Sequence, residues 1–275
     1  DTLHMQGPPS DPGVNPRALQ RLFEVVLTER AVEYHYTISL SLVEIYNDEI
    51  YDLIAGSSKE GKRKLHLRHG PEGQFVEGCE VVVVHTLADV TSICTKASRN
   101  RTSASNNINE HSSRSHLLLQ LAVQGTHIAS GQQTLSKLNL VDLAGSERVA
   151  RTHVEGDRLR EARSINKSLS CLGNVISALA QHASHVPYRD SRLTHLLQDS
   201  LSGESKTLMV VQVSPASVDY SESICSLNFA SRVRNVQLGP ARRHVLRSPG
   251  TSSVASPSPK ARRAPRTPLT PSTPQ

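Results

Sequence analysis

This 275-residue sequence has no apolar run long enough to span a bilayer, which takes about 20 apolar residues in a helix. Nor does its beginning, DTLHMQGPPS, show a basic region followed by an apolar segment, the pattern of a secretory leader. A membrane protein and a secreted one are therefore not expected, and a cytosolic or nuclear chain is. Cysteine is scarce. Cys79, Cys94, Cys171 and Cys225 lie far apart, without metal-ligand spacing or a disulfide-rich context, so they read as reduced core thiols. The stretch from Pro240 to Gln275 lacks both acids and aromatics. Without aromatic platforms for base stacking, it is not expected to bind single-stranded nucleic acid.

The formal net charge of +6 is unevenly spread. Seven of the 31 basic residues (Arg242, Arg243, Arg247, Lys260, Arg262, Arg263 and Arg266) follow Gly239, leaving 24 against 25 acids before it. Attraction to an acidic partner must then come from local patches or from the tail. Composition divides the chain at the same point. Residues 1–239 carry the apolar content of a packed core, whereas residues 240–275 are rich in Pro, Ser, Thr and Arg. Such a tail has too little apolar surface to offset the entropy of ordering it and is expected to be disordered. Ser248, Ser256, Ser258, Thr267, Thr270 and Thr273 each precede a proline there.

Within residues 1–239, Asn15-Pro16 reads as a capped helix start, and Leu19, Leu22, Phe23 and Val26 follow at helical spacing. Tyr36 to Ile45 alternates like a strand. Leu65 to Thr86 suggests a small antiparallel patch punctuated by Gly70, Gly73 and Gly78. A helix is expected from Leu87 to Asn106, strands over 117–123 and 135–143, and a long amphipathic helix through Ile165, Leu169, Leu172, Ile176 and Leu179. Thr207 to Val213 reads as a last apolar strand and Ser221 to Val236 as a closing helix.

Two stretches carry chemistry. LNLVDLAGSE, Leu138 to Glu147, is a buried-strand pattern that stops at a polar edge, where Asp142 can reach a metal ion and Gly145 lets a backbone N–H approach a ligand. NEHSSRSH, Asn109 to His116, offers the hydroxyls of Ser112 and Ser113, which suit Mg²⁺, and the planar fork of Arg114, which matches the Glu147 carboxylate. His111 and His116 have no acid or cysteine at metal-ligand or catalytic spacing.

Together these stretches resemble the two nucleotide-sensing switches of kinesin motor domains. The resemblance continues through INKSLSCLGNVISALA (Ile165 to Ala180) and HVPYRDSRLTHLLQDSL (His185 to Leu201) and covers nearly all of Met5 to Gly239. It implies an α/β fold of the P-loop NTPase kind, a central sheet flanked by helices, that binds ATP and Mg²⁺. It implies that Ser113 and Asp142 face the metal, that Asn109, Ser112, Ser113 and Gly145 face the nucleotide, and that Arg114 and Glu147 latch across the switches. Asn166 resembles the family's water-ordering residue on the second-switch helix, although a helix-capping asparagine reads equally well from the residues alone.

Lys167, Arg189 and Arg192 resemble the contacts to the acidic tubulin surface. His195 stands where many members carry a positive residue, and a histidine there is mostly neutral at physiological pH. YNDEIYDLI, Tyr46 to Ile54, falls where the family has a short helical segment. The ending RVRNVQLG, Arg232 to Gly239, resembles the close of C-terminal motors, which generally move toward microtubule minus ends.

The expected role is thus a cytoplasmic, cytoskeletal microtubule motor. Pairing of two chains would run through upstream coiled-coil sequence that these residues do not include. The departure is at the start, where Asp1 and Thr2 fall at the positions of the family's phosphate-loop lysine and threonine. The motor is therefore expected to be incomplete at its N-terminus, lacking that loop and the strands before it. A non-catalytic microtubule-binding fragment and a regulatory protein acting through its basic tail are the competing expectations.

Overall fold

Alternating apolar residues in one long segment set the architecture. In this computed structural model, which describes residues 5, 7–8, 10–55, 65–70, 73–102, 113–146, 157–203, 205–239 and 244–246, that segment is strand β1, Tyr34–Tyr46. Ile38, Leu40 and Leu42 pack on one face against helix α1 (Val14–Glu24), its π-helical continuation Val25–Glu29, and α2 (Leu87–Thr102). Val43 and Ile45 point to the other face, against α3 (Asp157–Ala180) and α4 (Arg192–Leu196). A period of two along the strand thus supplies both cores.

The sheet runs β2-β1-β6-β7-β8, with β2 Glu49–Asp52, β6 His116–His127, β7 Gln133–Asp142 and β8 His244–Leu246. Strand β5 (Val82–Val84) also pairs with β1. Its described pairs are all antiparallel. Register places Ile45 opposite His116 and Leu117 opposite Asp142, so β1 and β7 end, and β6 begins, at one edge. Asp142 thus ends its strand at the sheet edge, in a sheet whose described pairs are antiparallel. A separate hairpin, β3 (His66–Gly70) with β4 (Gly73–Glu77), docks through Asp199 of α5 (Gln198–Leu201), whose Oδ2 accepts from Gln74 N at 2.6 Å.

Four expectations need correction. The segment Tyr46 to Ile54 is not helical: Asn47 and Asp48 take φ of 52° and 60°, and the chain returns as β2. Two successive left-handed residues make the two-residue turn whose twist suits a hairpin, and Asn and Asp tolerate that region best after glycine. Helix α1 is capped at Gly13, while Asn15 lies inside the first turn with its Oδ1 buried and no hydrogen-bond partner. Thr207 to Val213 pairs with no strand among the described residues, and Leu208 is 85% exposed. Lastly, His244–Leu246, inside the tail expected to be disordered, pairs with Gln133, Thr134 and Leu135.

Candidate nucleotide-sensing edge

The edge where β1, β6 and β7 meet collects four of the expected site residues, Asp142, Ser113, Arg114 and Gly145. Asp142 closes β7 and is buried, at 8% exposure, opposite Leu117 of β6. Ser113 and Arg114 lie in the turn before β6. Gly145 N donates to Ser113 O at 2.9 Å, so one backbone hydrogen bond joins the two loops. With that bond made, the Gly145 N–H is turned toward its neighbour, and it must open before the N–H can serve an incoming anion. The donors here, a buried carboxylate and a serine hydroxyl on adjacent loops, are hard oxygens of the kind that suit Mg²⁺. Asn109, Ser112 and Glu147 lie outside the described residues, and the Arg114–Glu147 latch with them.

His116 ties this edge together. Its Nδ1 accepts from Ala144 N at 2.9 Å, which leaves the ring proton on Nε2, 2.7 Å from Ser168 Oγ; that hydroxyl passes a hydrogen bond on to Ile165 O at 2.7 Å. Burial, and secondarily the Arg101 charge, push its pKa down to about 4, so the ring stays neutral. Beside it, the Glu44 carboxylate, fully buried at 0% exposure, accepts from Arg101 Nε at 3.0 Å and Ser115 Oγ at 2.7 Å. Arg101 Nη2 also donates to Ser115 Oγ at 2.8 Å. Removing either partner of such a pair would leave a buried charge uncompensated.

Arg114 meets a partner that sequence reasoning missed: its Nη1 donates to Glu161 Oε2 of α3 at 2.8 Å. The Tyr46 hydroxyl donates to the other oxygen of the same carboxylate. Burial, then Glu161, hold the Tyr46 hydroxyl well above the usual phenol range. Spacing gives no signal for it: seven residues place Glu161 and Ser168 on one helix face, without saying what that face meets.

Asn166 is half-buried in the interior of α3, which removes the helix-cap reading. Lys167 is exposed on the same helix, Arg189 in the 3-10 turn Tyr188–Asp190 and Arg192 at the start of α4, both elements packed on α3. Ser191 and Thr194 form a capping box on α4, and Asp48 Oδ1 accepts from Arg192 N at 2.7 Å, so the basic residues sit on anchored elements. Burial, followed by Arg189 and Arg192, lowers the pKa of His195 from its ordinary value.

Comparison with known proteins agrees with this geometry. The kinesin motor domain family profile matches residues 1–236. The Arabidopsis thaliana kinesin-like protein KIN-14R is 51% identical over 245 residues, covering 89% of this chain and 22% of that protein. The chain thus spans about a fifth of that relative's length. Among solved structures, the KIF14 dimer in its two-heads-bound state, with AMP-PNP on a microtubule, superposes with a TM-score of 0.79 at 37% identity, covering 88% of this chain and 69% of that one. The motor domain of the Saccharomyces cerevisiae kinesin-related protein Kar3 gives a TM-score of 0.72 at 39% identity, covering 85% and 70%.

Proposed function

The chain belongs to the kinesin motor domain family, and from that premise we propose that it is the motor portion of a microtubule-stimulated ATPase directed toward microtubule minus ends. The observation that carries this reading is the Gly145 N to Ser113 O hydrogen bond at 2.9 Å beside the buried Asp142. It brings the two loops within reach of one another, so that a terminal phosphate can exchange this link for its own contacts to both loops and its loss can restore the link. The resemblance of Arg232 to Gly239 to the close of C-terminal motors supports that direction.

In this reading Asp142 and Ser113 hold the Mg²⁺ of bound ATP, which neutralises phosphate charge when present. Asn109, Ser112 and Gly145 face the nucleotide, Arg114 and Glu147 latch the loops, and Asn166 orders water. Lys167, Arg189 and Arg192 meet acidic tubulin in the cytoplasm, an attraction that salt weakens. The similarity to a KIF14 head described with AMP-PNP and a microtubule supports both ligands.

The 275 residues include no Gly-x-x-x-x-Gly-Lys-Ser/Thr loop. Gly56 to Arg63 comes near it but ends on arginine, which offers the metal no hydroxyl, and lies outside the described residues. Successive loop N–H groups and the lysine supply much of the phosphate positioning in such enzymes. A polypeptide of these residues alone is therefore expected to pellet with microtubules in a salt-sensitive manner and to release no phosphate, whereas one extended upstream through a phosphate loop turns over. Equal turnover in the two would overturn the inactivity; failure of both to pellet would overturn the motor reading.

A further inference from the structure

Helix α3 is fastened to the sheet edge twice, at residues seven apart on one face. Ser168 is bonded to His116 at 2.7 Å, and Glu161 to Arg114 at 2.8 Å and to Tyr46. Ile165, buried between them, fills the intervening turn. The Glu161 fastening joins three elements: the end of β1, the turn before β6, and α3, with partners 115 and 47 positions apart in sequence. Both ionic partners are mostly shielded, at 20% and 17% side-chain exposure, so their hydrogen bond is less screened than a surface pair's. The helix they hold also carries Lys167, exposed one residue before Ser168.

We propose that Glu161 is a positioning residue that couples Arg114, at the sheet edge, to the orientation of α3 and so of Lys167. A carboxylate that accepts from two different elements fixes the helix in both rotation and height, which one bond would leave free. Any movement of the Arg114 turn is then transmitted to α3 by a short charge-assisted contact. The alternative, an ion pair that only adds stability, would leave the turn and the helix energetically independent. The part of this inference that concerns microtubules rests on the proposed function; the mechanical part does not.

Hydrogen exchange on the full 275-residue chain tests the mechanical part. Glu161→Gln and Arg114→Gln should each speed amide exchange by about tenfold at both the first turns of α3 and the start of β6, the size expected for one charge-assisted hydrogen bond. Tyr46→Phe, a milder change that keeps the ring in place, should give a smaller effect in the same two segments, and Glu161→Asp should restore part of the protection. Acceleration confined to one segment, or effects of Glu161→Gln and Arg114→Gln that multiply in the double variant, would overturn the coupling. Microtubule co-pelleting tests the functional part. Arg114→Gln should weaken binding by about fivefold in the native background, the low end of site-to-site coupling, and hardly at all when Glu161→Gln is present. Equal weakening in both backgrounds would overturn the route through Glu161. If the unaltered chain fails to pellet, the microtubule reading falls, and exchange still decides the coupling.

Discussion

The two ends of α3 lie in different company. Toward its N-terminus it meets the edge formed by β1, β6 and β7, where the buried Glu44, Ser115, His116 and Ser168 and the largely buried Arg101 are all hydrogen-bonded to one another or to backbone. Near Gly173 it meets α6 (Tyr220–Arg234), which has no buried residue of its own and touches α3 through Phe229 and Arg232. The neighbouring segment Thr207 to Val213 is as apolar as β6, yet Leu208, Val210 and Val213 are all more than half exposed. Apolar content is common to both regions. What differs is partners on both flanks: β6 has β1 and β7, while Thr207 to Val213 has no ladder in the described structure. A strand pattern becomes a strand only where another strand satisfies its N–H and C=O groups.

The largest expected effect comes from breaking the well-connected region. Glu44→Ala strips the carboxylate from a largely buried guanidinium and should lower unfolding free energy by about 3–5 kcal/mol, the usual cost of removing one partner of a buried pair. Urea denaturation measures it, and a loss below about 1 kcal/mol, the scale of exposed pairs, would show that water reaches Arg101 easily.

Acid sharpens the comparison next. The folded pKa of His116, about 4, lies below the unfolded value near 6.5, so the unfolded chain binds the extra proton between those values. Stability from this group is complete above pH 6.5 and is lost as pH falls toward 4, by on the order of 3 kcal/mol. A His116→Gln variant, though less stable at neutrality, should show a shallower decline over that window. Parallel pH profiles would mean that other groups carry the acid sensitivity.

The smallest effect is expected in the sparsely partnered region. Leu208→Ser, at a side chain 85% exposed, should change stability by no more than about 0.5 kcal/mol. A loss above about 1.5 kcal/mol would mean that Leu208 is covered in solution and that the contrast between the regions is smaller than it looks. Measured beside Glu44→Ala, it gives the comparison its scale.

Several features were legible because they depend on local pattern. The helical spacing of Leu19, Phe23 and Val26, the alternation of β1, and the abrupt polar stop at Asp142 each follow from side-chain period and identity. Asn47-Asp48 was legible too, as a hairpin turn, but the resemblance pointed to a helix there and the turn chemistry decided otherwise. Glu161 was not legible. Its partners are 47 and 115 residues away, and no spacing within α3 distinguishes a carboxylate that meets Arg114 from one that meets water.

By itself the sequence determined most of the elements and the family, since each rests on residues near one another in the chain. Only tertiary structure decided that β6 and β7 pair antiparallel beside β1, that His244–Leu246 joins the β7 edge, and that Thr207 to Val213 has no ladder among the described residues. It also decided that Arg114 meets Glu161. The reason is physical: backbone groups and buried charges take whichever partner the packed chain brings within hydrogen-bond reach, and that partner is set by the closure of long loops rather than by local propensity.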